Sequence, residues 1–185
     1  MLREIADRRA IRNFTDQPIE EEKLQEIFEA IRLSPSWANR QCWTFVVVRD
    51  PEKRRAIARA ASPAEYYGDL NSPDYRGNPA QKAIAAAPVV LVGCADPKKS
   101  GAVRGMDYYL TDMGIAVENI MLTATGLGLG TVFVGVFSEP MVKELLHIPE
   151  EVRVVALVPV GYPARIPEPR PRRDLSDIIY EEEWP

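Results

Sequence analysis

Histidine and cysteine are nearly missing from this chain: His147 stands alone, and Cys42 and Cys94 are the only thiols among 185 residues. A site built on several histidines is therefore excluded within one chain. With no Cys-x-x-Cys pair there is no thiolate zinc site either. No Gly-x-Ser-x-Gly elbow and no P-loop occur, and one histidine does not make a convincing Ser/His/acid set. His147, beside a helix end in Leu145 to Pro149, reads as a capping or packing residue. The longest apolar stretch, 84–95, is interrupted by Pro88 and is too short to span a bilayer. The opening Met1-Leu2-Arg3-Glu4-Ile5 has no apolar leader region, so no secretory signal is expected. The separated cysteines are expected to be reduced thiols in a cytoplasmic protein.

The formal net charge of −4 argues against the whole chain binding nucleic acid or a membrane surface, while leaving room for a local basic pocket. Hydrophobic residues at 46% and charged residues at 27% are ordinary for a globular protein. The length suits a single domain over 1–185. An enzyme so short of catalytic side chains needs a cofactor for the hard chemistry.

What is present is a regular alternation of elements. Leu24, Ile27, Phe28 and Ile31 at helical spacing, opposite Glu22, Lys23, Glu26 and Glu29, predict an amphipathic helix over 20–33. Strands are predicted at 43–49, 88–95, 131–137 and 152–161 from β-branched apolar runs. Asp50-Pro51 opens a helix through Ala61, and another short helix covers 141–146. The segment 62–79, rich in Pro, Gly, Asn and Tyr, reads as a long loop or lid. The helix over 107–127 carries only Asp107, Asp112 and Glu118 as charges and is apolar on most sides. It must lie centrally or against a partner. The Gly126 to Gly130 run follows a helix and precedes a strand, the reverse of the dinucleotide-binding order. Gly126 is therefore read as a helix cap, with Gly128 and Gly130 in the turn. The tail, 162–185, is too poor in apolar residues to fold alone and is either frayed or docked on another surface. Four strands separated by helices predict a sheet covered by helices, α+β or α/β.

Two patterns carry chemistry. Arginines cluster in Arg8-Arg9-Ala10-Ile11-Arg12-Asn13-Phe14 and again in Arg170-Pro171-Arg172-Arg173, with Arg165 between. Guanidinium forks hold phosphate bidentately, so convergence of the two clusters would form a phosphate clamp, whereas scattered they are solvated charge. Ser34 to Trp43 is a compact polar-aromatic turn. Ser36, Asn39 and Gln41 offer groups that hydrogen-bond the edge of a heteroaromatic ring, and Trp37 and Trp43 offer apolar faces. A plain helix stop and turn would also favour such residues.

In order along the chain, these pieces resemble the nitroreductase family over nearly the full length. Arg8 to Phe14 is similar to an R-R-S-x-R-x-F opening, and Pro35 to Trp43 to P-S-x-x-N-x-Q-P-W. Gly126 to Thr131 fits as well, and Gly161-Tyr162-Pro163, with Arg170, Arg172 and Leu175, fits the family's ending. The resemblance implies an α+β fold: a mixed four-stranded sheet flanked by helices, with the C-terminal tail exchanged across a homodimer. It implies FMN as cofactor and NAD(P)H as co-substrate, with nitroaromatics, quinones or similar small molecules as acceptors.

By the same resemblance, Arg8, Arg170 and Arg172 hold the phosphate and Arg12 reaches the pyrimidine edge. Arg9 and Ala10 touch the cofactor. Pro35, Ser36 and Asn39 come from the partner subunit, with Gln41 nearby. The backbone around Val134 and Gly135 faces flavin N5, and Asn78 or Gln81 matches a family amide. Two departures stand out: Ala10 replaces a serine, and Cys42 replaces the proline of Q-P-W, which is expected to loosen that turn. The 62–105 region matches no family motif and is where substrate choice is expected to lie. A flavin binder without turnover, and a dehalogenating or flavin-fragmenting relative, are the alternative readings.

Overall fold

Every residue from Val89 to Ala95 is buried, which requires a strand covered on both faces. In the computed structural model, which describes residues 1–62 and 78–185, that strand lies inside a four-stranded sheet. The strands are β1 (Trp43–Val48), β2 (Val89–Ala95), β5 (Gly130–Thr131) and β6 (Arg153–Gly161), in the spatial order β1-β2-β6-β5. A separate hairpin pairs β3 (Ala102–Val103) with β4 (Met106–Asp107). The three ladders of the main sheet are antiparallel, and the parallel component is an isolated bridge between Ala10 and Thr131.

The helices among the described residues are α1 (Arg3–Asp7), α2 (Glu21–Arg32), α3 (Pro51–Ala60), α4 (Pro79–Ala86), α5 (Tyr108–Gly126) and α6 (Glu139–Leu146). They divide between the two faces of the sheet. Leu24 and Ile27 of α2 and Met113, Val117 and Ile120 of α5 pack on Val89, Leu91, Val158 and Val160. Ile57 of α3, Ile84 of α4 and Val142 of α6 pack on Val90, Val92 and Leu157. The period of two in β2 sends alternate residues into opposite cores. A register shift between Gly93 and Cys94 adds Val155 to β6, and Val154 still reaches the second core. The nearly all-apolar helix is thus central: Met113, Ala116, Val117, Ile120 and Ala124 are fully buried, while Leu110 is exposed. No helix among the described residues is long and apolar enough to cross a membrane.

Most element bounds match the sequence expectation to within two residues, but the strand expected over 131–137 does not form as such. Only Gly130–Thr131 pairs continuously with β6, and Val134 meets Leu157 in an isolated bridge. The register places Val132 opposite Pro159, which has no N–H to donate, so the ladder breaks there. The cap of α5 also differs. Gly126 is the last helical residue, and Gly128 takes the left-handed conformation, at φ +76°. Its N–H bonds Thr125 and the Leu129 N–H bonds Ala124, a Schellman closure that satisfies the last carbonyls. Gly130 has a different task. A Cβ there would stand 2.5 Å from Ile11 Cγ1, so glycine lets the N-terminal segment lie against the sheet. His147 ends α6 in a left-handed cap, as expected.

The segment 63–77, most of the expected loop or lid, lies outside the described residues. From 78 onward the 62–105 region is ordinary structure: α4, β2 and the start of the hairpin. The tail beyond Pro163 is exposed throughout, with one short 3-10 turn at Leu175–Asp177.

Candidate functional site: an arginine-lined groove

The two arginine clusters meet because both are tied to the same sheet edge. Ile11, 3% exposed, anchors the first: its N–H donates to the Thr131 carbonyl at 2.9 Å. The tail begins alongside. The Thr15 N–H donates to Tyr162 O and the Ala164 N–H to Asn13 O, each at 2.9 Å, and Phe14 bridges Pro163. This short two-stranded seam brings residues 167–172 over residues 8–12.

The result is a cavity of about 250 Å³ lined by Arg8, Arg9, Ala10, Arg12, Arg170 and Arg172, with Pro167 and Glu168. Among the described residues, Glu168 is the one carboxylate on its wall, against five guanidinium groups. Glu118 of α5, which does not line the cavity, lies 3.8 Å from Arg8. Arg9 is fixed by its own backbone: one terminal nitrogen donates to Ala6 O at 2.6 Å and to Arg8 O at 2.8 Å. Its Nε is buried and has no protein partner. An orphaned buried donor among cations that outnumber the nearby carboxylates suits a polyanionic ligand, because charge-assisted bonds to phosphate satisfy several such donors at once.

Arg12 also borders a second cavity, of about 280 Å³, lined by Asn78, Pro79, Ala80 and Val132 to Val136. Arg12 thus stands between the arginine-lined cavity and one walled by Val134 and Gly135. Asn78, 8% exposed, is committed structurally. Its side-chain oxygen accepts the Ala80 N–H at 2.9 Å, and its Nδ2 donates to Ala61 O at 2.7 Å and Val136 O at 3.4 Å. It holds the wall of the groove to the start of α4. Gln81 instead accepts from Ser62 Oγ at 3.3 Å and lines neither cavity.

Pro35, Ser36, Asn39 and Gln41 line neither cavity of their own chain. They sit on the turn between α2 and β1, which has an uncommon backbone: Ala38, Asn39 and Gln41 all have positive φ, at 47°, 54° and 48°. Non-glycine residues in that region store strain of about 1–3 kcal/mol each. Ser36 Oγ closes the turn by accepting the Gln41 N–H at 2.9 Å. Cys42, standing where the family has proline, has a partner of its own. Cys42 is 2% exposed, and its thiol points to Asp112 Oδ2 at 3.5 Å.

Asp112 escaped the sequence reading, although a signal existed. It is a lone aspartate on the face of α5 shared by Tyr109, Met113 and Ala116, all of which are buried. Its carboxylate is 2% exposed and accepts from Trp37 N–H at 2.8 Å and from Ser100 Oγ at 3.3 Å. Trp37 stacks on Tyr108 with ring centroids 5.9 Å apart, and a Cβ on Gly101 would fall 2.7 Å from the indole.

With this geometry in place, relatives are informative. A model of the nitroreductase family matches residues 5–162. A protein of Archaeoglobus fulgidus, whose name pairs NADH dehydrogenase with NAD(P)H nitroreductase, is 36% identical over 166 residues, 88% of this chain and 84% of that protein. An FMN reductase [NAD(P)H] of Bacillus subtilis is 29% identical over 201 residues, spanning 100% of this chain and 74% of that protein. The crystal structure of a nitroreductase family protein from Clostridium novyi NT superposes with a TM-score of 0.76 at 34% identity, covering 87% of this chain and 83% of that one.

Proposed function

This chain belongs to the nitroreductase family, and we propose that it is an FMN-dependent NAD(P)H oxidoreductase acting as a homodimer. The observation that carries this reading is the convergence of Arg8, Arg9 and Arg12 with Arg170 and Arg172 on one cavity, Arg12 also lining the neighbouring cavity of Val134 and Gly135. In this reading Arg8, Arg170 and Arg172 take the phosphate of FMN. Arg9 and Ala10 flank it, and Arg12 stands at the pyrimidine edge. FMN, when bound, supplies the electron-transfer chemistry between NAD(P)H and a nitroaromatic, quinone or similar acceptor. The protein's part is to bind, orient and leave one face open, so donor and acceptor use the same opening in turn and follow ping-pong kinetics.

The dimer enters because Pro35, Ser36, Asn39 and Gln41 lie away from their own chain's groove and serve the partner's. The exposed Leu110 of α5 and the exposed Ile166, Leu175, Ile178, Ile179 and Trp184 of the tail are the apolar groups that a second subunit would cover.

The test is direct. The purified protein should be yellow with about one FMN per chain, and NADPH or NADH should bleach it. Persistent colour with both donors would leave a flavin binder without turnover. Charge-assisted bonds are worth roughly 1.5–3 kcal/mol each, so Arg172→Ala should weaken FMN on the order of 10- to 150-fold. Riboflavin, lacking the phosphate, should bind wild type poorly. Equal affinity for riboflavin and FMN would overturn the clamp.

A further inference from the structure

The buried carboxylate of Asp112 belongs to neither cavity, yet it collects three donors from two separate pieces of chain, the 37–42 turn and Ser100. Trp37 contributes its backbone N–H at 2.8 Å, Ser100 its hydroxyl at 3.3 Å and Cys42 its thiol at 3.5 Å. All three donors are neutral, and the side chain is 2% exposed. A buried carboxylate is costly unless its oxygens are satisfied, so this arrangement holds the surrounding chain as firmly as the chain holds it. What it holds is the turn from Ser36 to Gln41.

That turn has internal bonds, from the Gln41 N–H to Ser36 Oγ and from the Asn39 and Arg40 N–H groups to Ser36 O and Trp37 O, but its backbone is strained. Ala38, Asn39 and Gln41 occupy left-handed backbone without being glycine, and Asn39 and Gln41 are exposed, with Gln41 Nε2 donating to the Asn39 side chain at 3.2 Å and to the Asn39 carbonyl at 3.4 Å. Local preference would relax such a turn. Further restraint comes from outside it. Asp112 grips the Trp37 amide at its entry and the Cys42 thiol at its exit, while Gly101 and Tyr108 seat the Trp37 ring. A helix that is itself central to the core provides the anchor, so the turn inherits the rigidity of α5.

We propose that Asp112 is a positioning residue for flavin binding: by pinning Trp37 and Cys42 to α5, it presents Ser36, Asn39 and Gln41 in a fixed geometry to the flavin ring in the partner subunit's groove. This rests on the FMN reading above. It assigns Asp112 no contact with the cofactor and no part in the phosphate clamp. Its removal should therefore weaken every ligand that carries the ring system, by the same factor, whether or not a phosphate is present.

The experiment compares wild type, Asp112→Ala, Asp112→Asn and Ser100→Ala as full-length protein. FMN and riboflavin are titrated, and exchange of the Trp37 amide is followed by NMR. Asp112→Ala should raise the dissociation constants of FMN and riboflavin together, by at least 10-fold, leaving their ratio unchanged. It should also abolish protection of the Trp37 amide. Asp112→Asn, which keeps an oxygen for that amide, should recover most of the protection and affinity, and Ser100→Ala should show a smaller loss of the same kind. If Asp112→Ala does not fold, the last two variants carry the same comparison. Unchanged affinities alongside a deprotected Trp37 amide would overturn the proposal. A change in the FMN-to-riboflavin ratio would also overturn it, because Asp112 would then act through the arginines. Failure of wild type itself to bind FMN would overturn the functional reading, and is seen before any variant is made.

Discussion

Ile11 occupies the space that a side chain on Gly130 would need: a Cβ built there lies 2.5 Å from Ile11 Cγ1 and 2.8 Å from Ile11 Cβ. The second distance matters more, because a Cβ moves only with its backbone. Gly130→Ala should therefore push the segment carrying Arg8, Arg9 and Arg12 off the sheet edge, at the Ile11–Thr131 hydrogen bond. Overpacking of this kind costs typically 1–3 kcal/mol. Urea unfolding should show that loss, and FMN affinity should fall with it. Ile11→Ala in the same background should recover part of both, a coupling that a double-mutant cycle reads. Strictly additive effects of the two substitutions would show that the contact does not place the arginines.

That pair also illustrates what was legible in the sequence and what was not. Helices and strands set by local periodicity, such as α2 and β2, needed only the spacing of apolar residues. The meeting of Arg8 to Arg12 with Arg170 and Arg172 was accessible only through resemblance, since some 160 residues separate the clusters. The failure at 131–137 came from a partner strand. Val132 and Phe133 have every local preference for a strand, but Pro159 opposite cannot complete the ladder. Asp112 was visible as an isolated charge in an apolar helix. The three donors that give it meaning lie 12 to 75 residues away in the chain, and no spacing rule connects them.

Asn78 joins stability to the groove. Asn78→Ala removes the cap on Ala80 and leaves the Ala61 carbonyl short of a donor, a loss expected at about 1–3 kcal/mol. Asn78→Asp separates the two roles. It keeps an acceptor for the Ala80 N–H but turns a carboxylate oxygen toward the carbonyls of Ala61 and Val136. Protonation relieves that repulsion, so this variant should lie closer to wild type at pH 5 than at pH 8 in chemical unfolding. A deficit independent of pH would mean that Nδ2 does not face those carbonyls.

Glu139 ties α6 to β6. It takes two nitrogens of Arg153, at 3.0 Å each, and the Val154 N–H at 2.9 Å. Burial alone would raise this carboxyl, but the Arg153 bonds, the Val154 N–H and the nearby Lys143 charge outweigh it and hold it below its usual value of 4.5. The unfolded chain therefore takes up the proton first as pH falls. The stabilisation is complete above pH 4.5 and is lost progressively below it. Glu139→Gln should cost about 1–2 kcal/mol at pH 7, discounted because Arg153 is half in solvent. It should also lose less stability than wild type between pH 4.5 and 3. Parallel acid profiles would remove Glu139 from the account.

At the alkaline end the two thiols contribute. Burial pushes Cys42 up from 9.0 to about 11, helped by the Asp112 carboxylate it bonds, and burial pushes Cys94 to about 11, helped by the Glu139 charge. Two consequences follow from the same sign. In the folded protein neither thiol is ionised at pH 8, so disulfide reagents should label them only on unfolding. Above pH 9 the unfolded chain releases thiol protons that the folded chain keeps, so stability falls as pH rises from 9 to 11, by about 1 kcal/mol per pH unit for each thiol. Tyrosines and lysines titrate in the same window, so the useful quantity is a difference of slopes. Cys94→Ala shifts the whole curve through its cavity, but it should also flatten the slope between pH 9 and 11 by one thiol's share. Cys42→Ala should do the same, and the double variant should lose both shares. Urea midpoints measured every half pH unit on the four proteins decide the matter. Identical slopes in wild type and the double variant would mean that the thiols ionise as readily in the folded protein as in the unfolded chain, and that their burial does not govern their chemistry.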